Sequence, residues 1–369
     1  MKAIHQLLPV FSEHDAIGLS VRNTQKVLRS AGYESEIFAM DIHQGVKKLA
    51  HPWSKYRKMR RAGDTGVLFH ASTSSVMTEH LLSSQDPLAV FYHNITPASF
   101  FERWLPVAAE ATRRARSEIA SLAASARVGL AASVFSEKEL IDMGYRETAI
   151  VPVLVDFSAF DRTPRARTLA RLERKRAQGP RWLFVGRVAP NKCQHDVIAA
   201  FAAYRELYAP TATLSLVGGV PSDLYWRSLK RLIAELDLTD AAEHVNQVTH
   251  EDLIAHYRTA DVFVCLSQHE GFCVPVLEAM YQNVPVISSS SSALPETVGD
   301  GGVLLQDTSP QTVAGAAHLA VSDPEVRAAL QAAGRRHVSN YAMTASSTAL
   351  VERLAGVFGG PKDKDPYGQ

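Results

Sequence analysis

Cysteine is scarce in this chain: Cys193, Cys265 and Cys273 are the only three in 369 residues. The count is odd and no two form a C-x-x-C pair. A disulfide framework and a zinc site are therefore not expected, and a reducing compartment is. Charge of either sign is no more than balanced, with 39 Lys and Arg against 38 Asp and Glu, a net of +1. A chain this neutral does not coat nucleic acid by bulk charge, so no nucleic-acid partner is expected. No run of about 18 apolar residues occurs, so no membrane span is expected. The opening residues, Met1 to Pro9, are too short and too polar for a signal peptide and read as a first strand. A cytoplasmic protein follows as the expectation. A G-x-G-x-x-G turn is also missing, which disfavours a nicotinamide dehydrogenase.

What is present is an alternation of strand-like and helix-like patterns, long enough for two domains. Ala3 to Val10 reads as a strand and Gly18 to Ala31 as a helix stopped by Gly32. Strands are expected at Glu36 to Met40, Gly66 to His70 and Leu88 to His93. A helix with a basic face follows at Leu105 to Ala124. Val128 to Ser133, a helix from Ser136 to Met143 capped by Gly144, and a strand at Ile150 to Val155 close the first series. Asp161 to Pro180 is polar and dense in arginine, as in a linker with a surface helix. A second series starts at Trp182 and runs to Ser288, with strands at Trp182, Thr213, His244, Val262 and Val284. Helices are expected at Pro310 to Ala320, Pro324 to Tyr341 and Met343 to Phe358. The pattern predicts an α/β chain with two Rossmann-like domains, 1–165 and 166–342. Helix 343–358 is expected to pack back on the first domain, and 359–369 reads as a disordered tail.

Chemistry concentrates in His269-Glu270-Gly271-Phe272-Cys273-Val274-Pro275-Val276-Leu277-Glu278. An apolar strand precedes this stretch and a helix pattern follows it. A turn opening into a helix presents backbone N–H groups to an anion, so Gly271, Phe272, Cys273 and Val274 become phosphate-binding candidates. Pro275 suits the first helical position. Glu278, one turn further on, can accept from the paired hydroxyls of a ribose, and Glu270 from those of a sugar. A helix-dipole partner and a surface loop acid are the bland readings of the same two glutamates. The strand ending at Gly186 leads to Arg187 and Lys192 on the carboxyl edge of its sheet, where ligands of such sheets bind. Two cations there could neutralise a departing diphosphate without a metal. A solvated basic loop is the alternative.

Gly186-Arg187 with Lys192, then Glu270-Gly271-Phe272 with Pro275 and Glu278, resembles the retaining glycosyltransferases of family 4, of the GT-B fold. Ser292 to Gly299 and Val217-Gly218-Gly219 also fit that family's sugar-nucleotide domain. The likeness is strong from about Arg181 to Leu305 and looser before it. It implies that Arg187 and Lys192 hold the donor diphosphate, that Glu278 holds the ribose, and that Glu270 meets the donor sugar. Gly218 would lie beneath the nucleotide, and Asn246 and Val248 would flank the base. His93, after Phe91-Tyr92, would be a sugar contact from the first domain. Gly18 remains where relatives often carry a Gly-Gly pair, in the loop that follows Glu13-His14-Asp15. Only Val155-Asp156 survives of a turn common in relatives.

The resemblance implies a hexose moved with retention from a nucleotide-diphosphate sugar, GDP-mannose or a UDP-sugar, with no metal required. It also implies a glycan or polyprenyl-diphosphate-linked acceptor in surface polysaccharide synthesis. Asp363-Lys364-Asp365 matches a metal motif in letters only. Basic segments Lys55 to Arg61 and Arg113 to Arg116, the latter after Phe100, Phe101 and Trp104, suit peripheral docking on an anionic membrane. A solvated helix face explains them equally well. A nucleotide-sugar epimerase on the same fold would share the cleft, and free epimer formed without acceptor would identify it. A non-catalytic sugar-nucleotide binder is the third reading.

Overall fold

The computed structural model describes residues 2–12 and 16–360. Two compact units emerge. One comprises residues up to Ala98, Val107–Val155 and the chain from Tyr341 on; the other comprises Ser99–Pro106 and Asp156–Asn340.

In the first unit the strands are β1 (Ala3–Phe11), β2 (Ile37–Ile42), β3 (His51–Pro52), β4 (Thr65–Ala71), β5 (Leu88–Tyr92), β6 (Ala126–Ala131) and β7 (Thr148–Ile150). They pair in parallel in the order β3-β2-β1-β4-β5-β6-β7. Seven of the first eight residues of β1 are buried, which is how a parallel strand covered on both faces reads. Leu7, Phe69, Val90 and Tyr92 anchor the core on one face, and Leu8, Phe11, Val21 and Ile37 the core on the other. Helix Val134–Asp142 starts at Ser133, whose hydroxyl accepts from the Ser136 N–H, and ends before Gly144 at φ 93°.

The expected strand at Ile150 to Val155 is corrected: β7 is Thr148–Ile150, Val151 N–H still donates to the Ala131 carbonyl of β6 at 2.8 Å, and the mostly buried residues after it belong to no strand. Their hydrophobicity serves packing rather than a sheet. Helix Met343–Phe358 packs on this first unit, where the Phe358 ring lies about 3.1 Å from where a Cβ on Gly66 would stand. Tyr33 Oη donates to the Gly359 carbonyl and Arg127 to that of Val357, fixing its end.

The second unit holds β8 (Arg181–Val185), β9 (Thr213–Val217), β10 (Ala242–Val245), β11 (Val262–Cys265), β12 (Val286–Ser289) and β13 (Val303–Leu305). Their order is β10-β9-β8-β11-β12-β13, again all parallel. Trp182, Phe184, Phe201, Leu214 and Val264 form its core. Side-chain caps define several helix starts: Ser222 for Asp223–Glu235, Thr249 for His250–Thr259 and Asp323 for Pro324–Ser339. The arginine-dense segment is a helix, Ala166–Arg176, strapped down by charge. Arg171 and Lys175 both reach Glu243, at 2.9 and 2.7 Å, and Arg176 reaches Asp261 at 2.8 Å.

The aromatic and basic residues considered for membrane docking fall in different units. Trp104 belongs to the second unit, edge-on to Tyr225 at 5.2 Å, with its carbonyl bonded by Ser222 Oγ. Arg113, Arg114 and Arg116 lie in the first unit and pair with Glu110, Glu118 and Glu139. Arg60 and Arg61 likewise pair with Asp86 and Glu34. Most of these charges are satisfied within the fold. Among the described residues no helix is long and apolar enough to cross a membrane.

Candidate active site

Both sheets are doubly wound, and a doubly wound sheet opens a crevice where the strand order reverses. In the second unit the reversal lies between β8 and β11. The two loops leaving those strands carry Gly186 to Lys192 and Leu266 to Cys273, so the predicted charges meet at the switch point.

They meet directly. The Lys192 ammonium donates to the Glu270 carboxylate at 2.5 Å, with side-chain exposures of only 19 and 7%. Burial opposes the Lys192 charge, but the Glu270 carboxylate outweighs it and raises the lysine pKa. The two loops are stitched by backbone as well. Gln268 N–H donates to the Asn191 carbonyl at 2.9 Å, and Asn191 Nδ2 to that of His269 at 3.0 Å. Glu270 N–H donates to Ser292 Oγ at 2.8 Å. Arg187, by contrast, is exposed, and among the described residues its guanidinium has no hydrogen-bond partner. One cation is tied down and one is available.

The turn after Glu270 differs in detail from its reading in sequence. The left-handed residue is Cys273, at φ 70°, and not Gly271. Cys273 is the N-cap of helix Val274–Tyr281, which makes Val274 the first helical residue and moves Pro275 to the second. A proline is equally harmless there, since the first four N–H groups of a helix have no intrahelical acceptor. Cys193 repeats the device at φ 50° as N-cap of Gln194–Leu207. Phe272 is buried, and its carbonyl accepts from Thr297 Oγ1.

Glu278 stands on the inner helix turn and accepts from Tyr257 Oη at 2.7 Å. Burial pushes its carboxyl up to about 7, against the smaller opposing effect of the Tyr257 bond. A carboxyl raised from 4.5 to about 7 holds its proton better folded than unfolded. Its contribution to stability is complete below pH ~4.5 and is lost as pH rises towards ~7. Glu278→Gln is therefore expected to flatten the decline in Tm of the ligand-free protein between those pH values. An unchanged decline in the variant would show that Glu278 is not the titrating group.

Gly186 and Gly218 end β8 and β9 and touch. Gly186 N–H donates to the Val217 carbonyl and Val188 N–H to that of Gly219, at 2.9 and 2.8 Å. Beyond β9 and β10 a cavity of about 590 Å³ opens, with Gly219, Asp223, Trp226, His244 and Asn246 in its lining. Asn246 is exposed there, whereas Val248 is half-buried outside the lining. Trp226 and His244 pack ring to ring at 4.5 Å, tilted by 48°, and supply an aromatic wall that the sequence reading missed.

In the first unit Gly18 is buried on helix Ala16–Ser30, and Glu13 to Asp15 lie outside the described residues, as do Asp363 to Asp365 and the rest of the tail from 361. His93 follows β5 and is joined to two residues that the sequence did not single out. Its Nε2 is 2.8 Å from His70 Nδ1, and His70 Nε2 is 2.9 Å from Gln6 Oε1. The chain thus crosses β5, β4 and β1. Burial lowers the pKa of both imidazoles, that of His93 to about 3, so both are neutral near pH 7. With Gln6 presenting its oxygen, His70 Nε2–H donates to it and His70 Nδ1 accepts from His93 Nε2–H. His93 Nδ1 is then a bare acceptor, suited to a hydroxyl. An isolated histidine in an apolar strand reads as core, and no local pattern links His70 to a glutamine 64 positions away.

Residues 168–337 match the family model described as Glycosyl transferases group 1. The match lies within the second unit and is a likeness to that family. The group 1 segment contains Arg187, Lys192, Glu270 and Glu278. Over 218 residues the chain is 32% identical to a GDP-mannose-dependent alpha-(1-6)-phosphatidylinositol monomannoside mannosyltransferase of Mycolicibacterium smegmatis, covering 56% of each protein. Over 234 residues it is 31% identical to a D-inositol 3-phosphate glycosyltransferase of Kineococcus radiotolerans, covering 58% of this chain and 54% of the relative. The matches thus span about half the length of these relatives. The solved structure of sucrose-phosphate synthase from Thermosynechococcus elongatus is similar over 96% of this chain and 99% of its own, with TM-score 0.76 and 21% identity. Anabaena HepE in complex with UDP and glucose is similar over 96% and 100%, with TM-score 0.74 and 16% identity. The fold is GT-B: two doubly wound α/β domains.

Proposed function

We propose that this protein is a retaining glycosyltransferase that moves a hexose from a nucleotide-diphosphate sugar to a glycan or lipid-linked acceptor. The observation that carries the reading is the Lys192–Glu270 pair at the switch point of the second sheet, with Glu278 one turn inside the helix that follows. Arg187 and Lys192 would hold the diphosphate, with the amino end of helix Val274–Tyr281 behind it. Glu278 would take the ribose hydroxyls, and the cavity beside Trp226 and Asn246 would take the base. Glu270 and His93 would be hydroxyl acceptors for the sugar.

The chemistry follows from those roles. The bond from the anomeric carbon to the phosphate oxygen breaks, and a bond to the acceptor oxygen forms on the same face. The acceptor proton passes to the departing phosphate oxygen. In the free enzyme the Glu270 carboxylate is engaged by Lys192, and we read transfer as front-face attack rather than through a covalent intermediate. Charge on the leaving group is met by two cations and helix N–H groups, which supports transfer without a metal. GDP-mannose is the first donor to test, since one relative's name specifies it. Synthesis of a surface polysaccharide at the cytoplasmic face of the membrane is the setting we favour.

A thermal-shift screen of nucleoside diphosphates tests the donor class. A ligand at 100 times its Kd stabilises by about 2.7 kcal/mol. GDP or UDP is expected to raise Tm by several degrees, and AMP, NAD and free sugars not to. No shift with any nucleoside diphosphate would sink the reading.

A further inference from the structure

The three cysteines all stand around the Lys192–Glu270 pair. Cys193 follows Lys192, Cys265 ends β11, and Cys273 caps the helix after Glu270. Cys265 Sγ and Cys273 Sγ are 3.8 Å apart. A Glu270 carboxylate oxygen joins them in a cluster whose ligand atoms all lie within 4.8 Å of one another. The eight-residue step between the two cysteines is longer than the two to four intervening residues typical of structural zinc pairs, so the sequence gives no hint of it.

The sulfur-to-sulfur spacing fits a metal. Tetrahedral zinc holds thiolate sulfurs at about 2.3 Å, which places two such sulfurs ~3.8 Å apart. A disulfide would instead have to draw them to about 2.0 Å and would leave Glu270 unused. The ligands are also held in advance. Cys265 is on a buried strand, Cys273 is fixed by its helix cap, and the Glu270 backbone is pinned by Ser292. Lys192 on the Glu270 carboxylate is the kind of outer partner that orients a metal-binding carboxylate.

We propose that Cys265, Cys273 and Glu270 bind a zinc-class divalent cation, which occupies the donor site and inhibits transfer. The cation displaces two thiol protons and takes the Glu270 carboxylate away from the sugar, and its fourth position stays open to water. Binding of the cation does not depend on the transferase reading; only the inhibition rests on it.

The test uses the full chain, reduced and stripped with chelator. Zn²⁺ is titrated in competition with a chromophoric indicator, and Co²⁺ is added separately to look for sulfur-to-metal charge-transfer absorption. One Zn²⁺ per chain and a thiolate–cobalt band are expected, with no competition from Mg²⁺. Cys265→Ser and Cys273→Ser should each weaken binding at least about tenfold, the loss that outer partners alone produce. Cys193→Ser should leave binding and band intact. Should Cys265→Ser fail to fold, Cys273→Ser at the half-buried cap decides. No Zn²⁺ binding by the reduced chain, or binding that survives Cys273→Ser, overturns the site. Loss on Cys193→Ser also overturns it, moving the metal to the Cys193–His195–Asp196 cluster. Inhibition is read apart from binding: Zn²⁺ should abolish sugar transfer from the nucleotide donor. Binding without that effect overturns the inhibitory role and leaves the donor reading untouched.

Discussion

Lys192→Ala is expected to cut kcat for transfer by about 10²–10³, the loss seen when one preorganised donor to a developing negative charge is removed. Lys192 is the largely buried cation at the switch point, held 2.5 Å from Glu270. In the free enzyme Glu270 is its partner; with donor bound, the diphosphate would compete for it. The substitution thus removes a charge from the leaving group and strands a carboxylate that is 7% exposed. Removing one partner of a buried pair costs about 3–5 kcal/mol, so Tm should fall as well. The double variant Lys192→Ala, Glu270→Gln separates the two effects. It should recover much of the lost Tm and none of the lost turnover. Initial rates with a radiolabelled donor, alongside thermal unfolding, provide both readouts. Turnover near the wild-type value in a folded Lys192→Ala chain would remove lysine from the diphosphate.

How much of this could be read beforehand depends on the range of the interaction. Strand Thr213–Val217 and helix Met343–Phe358 stand where the hydrophobic pattern places them, because period 2 and period 3.6 are local properties. The residues after Ile150 misled because burial and ladder pairing both select apolar side chains. In the turn after Glu270 it is Cys273, not a glycine, that takes the left-handed conformation. Propensity favours glycine there, and only the surrounding packing says which residue is forced into it. Loop 99–106 reads as part of the first domain by order alone, but Trp104 finds its apolar partner, Tyr225, in the second unit. The charges of the site were legible individually. Their pairing was not, since Lys192 and Glu270 are 78 positions apart and only the β8–β11 neighbourhood brings them together.

Gly218→Ala is expected to be the most damaging single methyl in the second unit. Gly218 sits at φ 149°, and a Cβ there would lie 2.1 Å from the Gly186 carbonyl oxygen and 2.6 Å from its carbon. Those atoms are backbone and cannot swing aside. Gly186 is held by Val217, Val188 by Gly219 and Gly218 itself by Val245, so the two strand ends are mutually locked. Overpacking costs about 1–3 kcal/mol and an unfavourable φ about as much again. For a unit of this size that is roughly 4–24 °C in Tm. Relief by displacement has a functional cost, because the loop that would move is the one that carries Arg187 and Lys192. Gly219→Ala is the matched control: its added Cβ would meet nothing nearer than 3.7 Å, and its φ is ordinary. Gly219→Ala should therefore keep its Tm, while Gly218→Ala loses both Tm and nucleoside diphosphate binding. Equal behaviour of the two variants would mean that close approach of two backbones is not what holds these loops at the edge of the sheet.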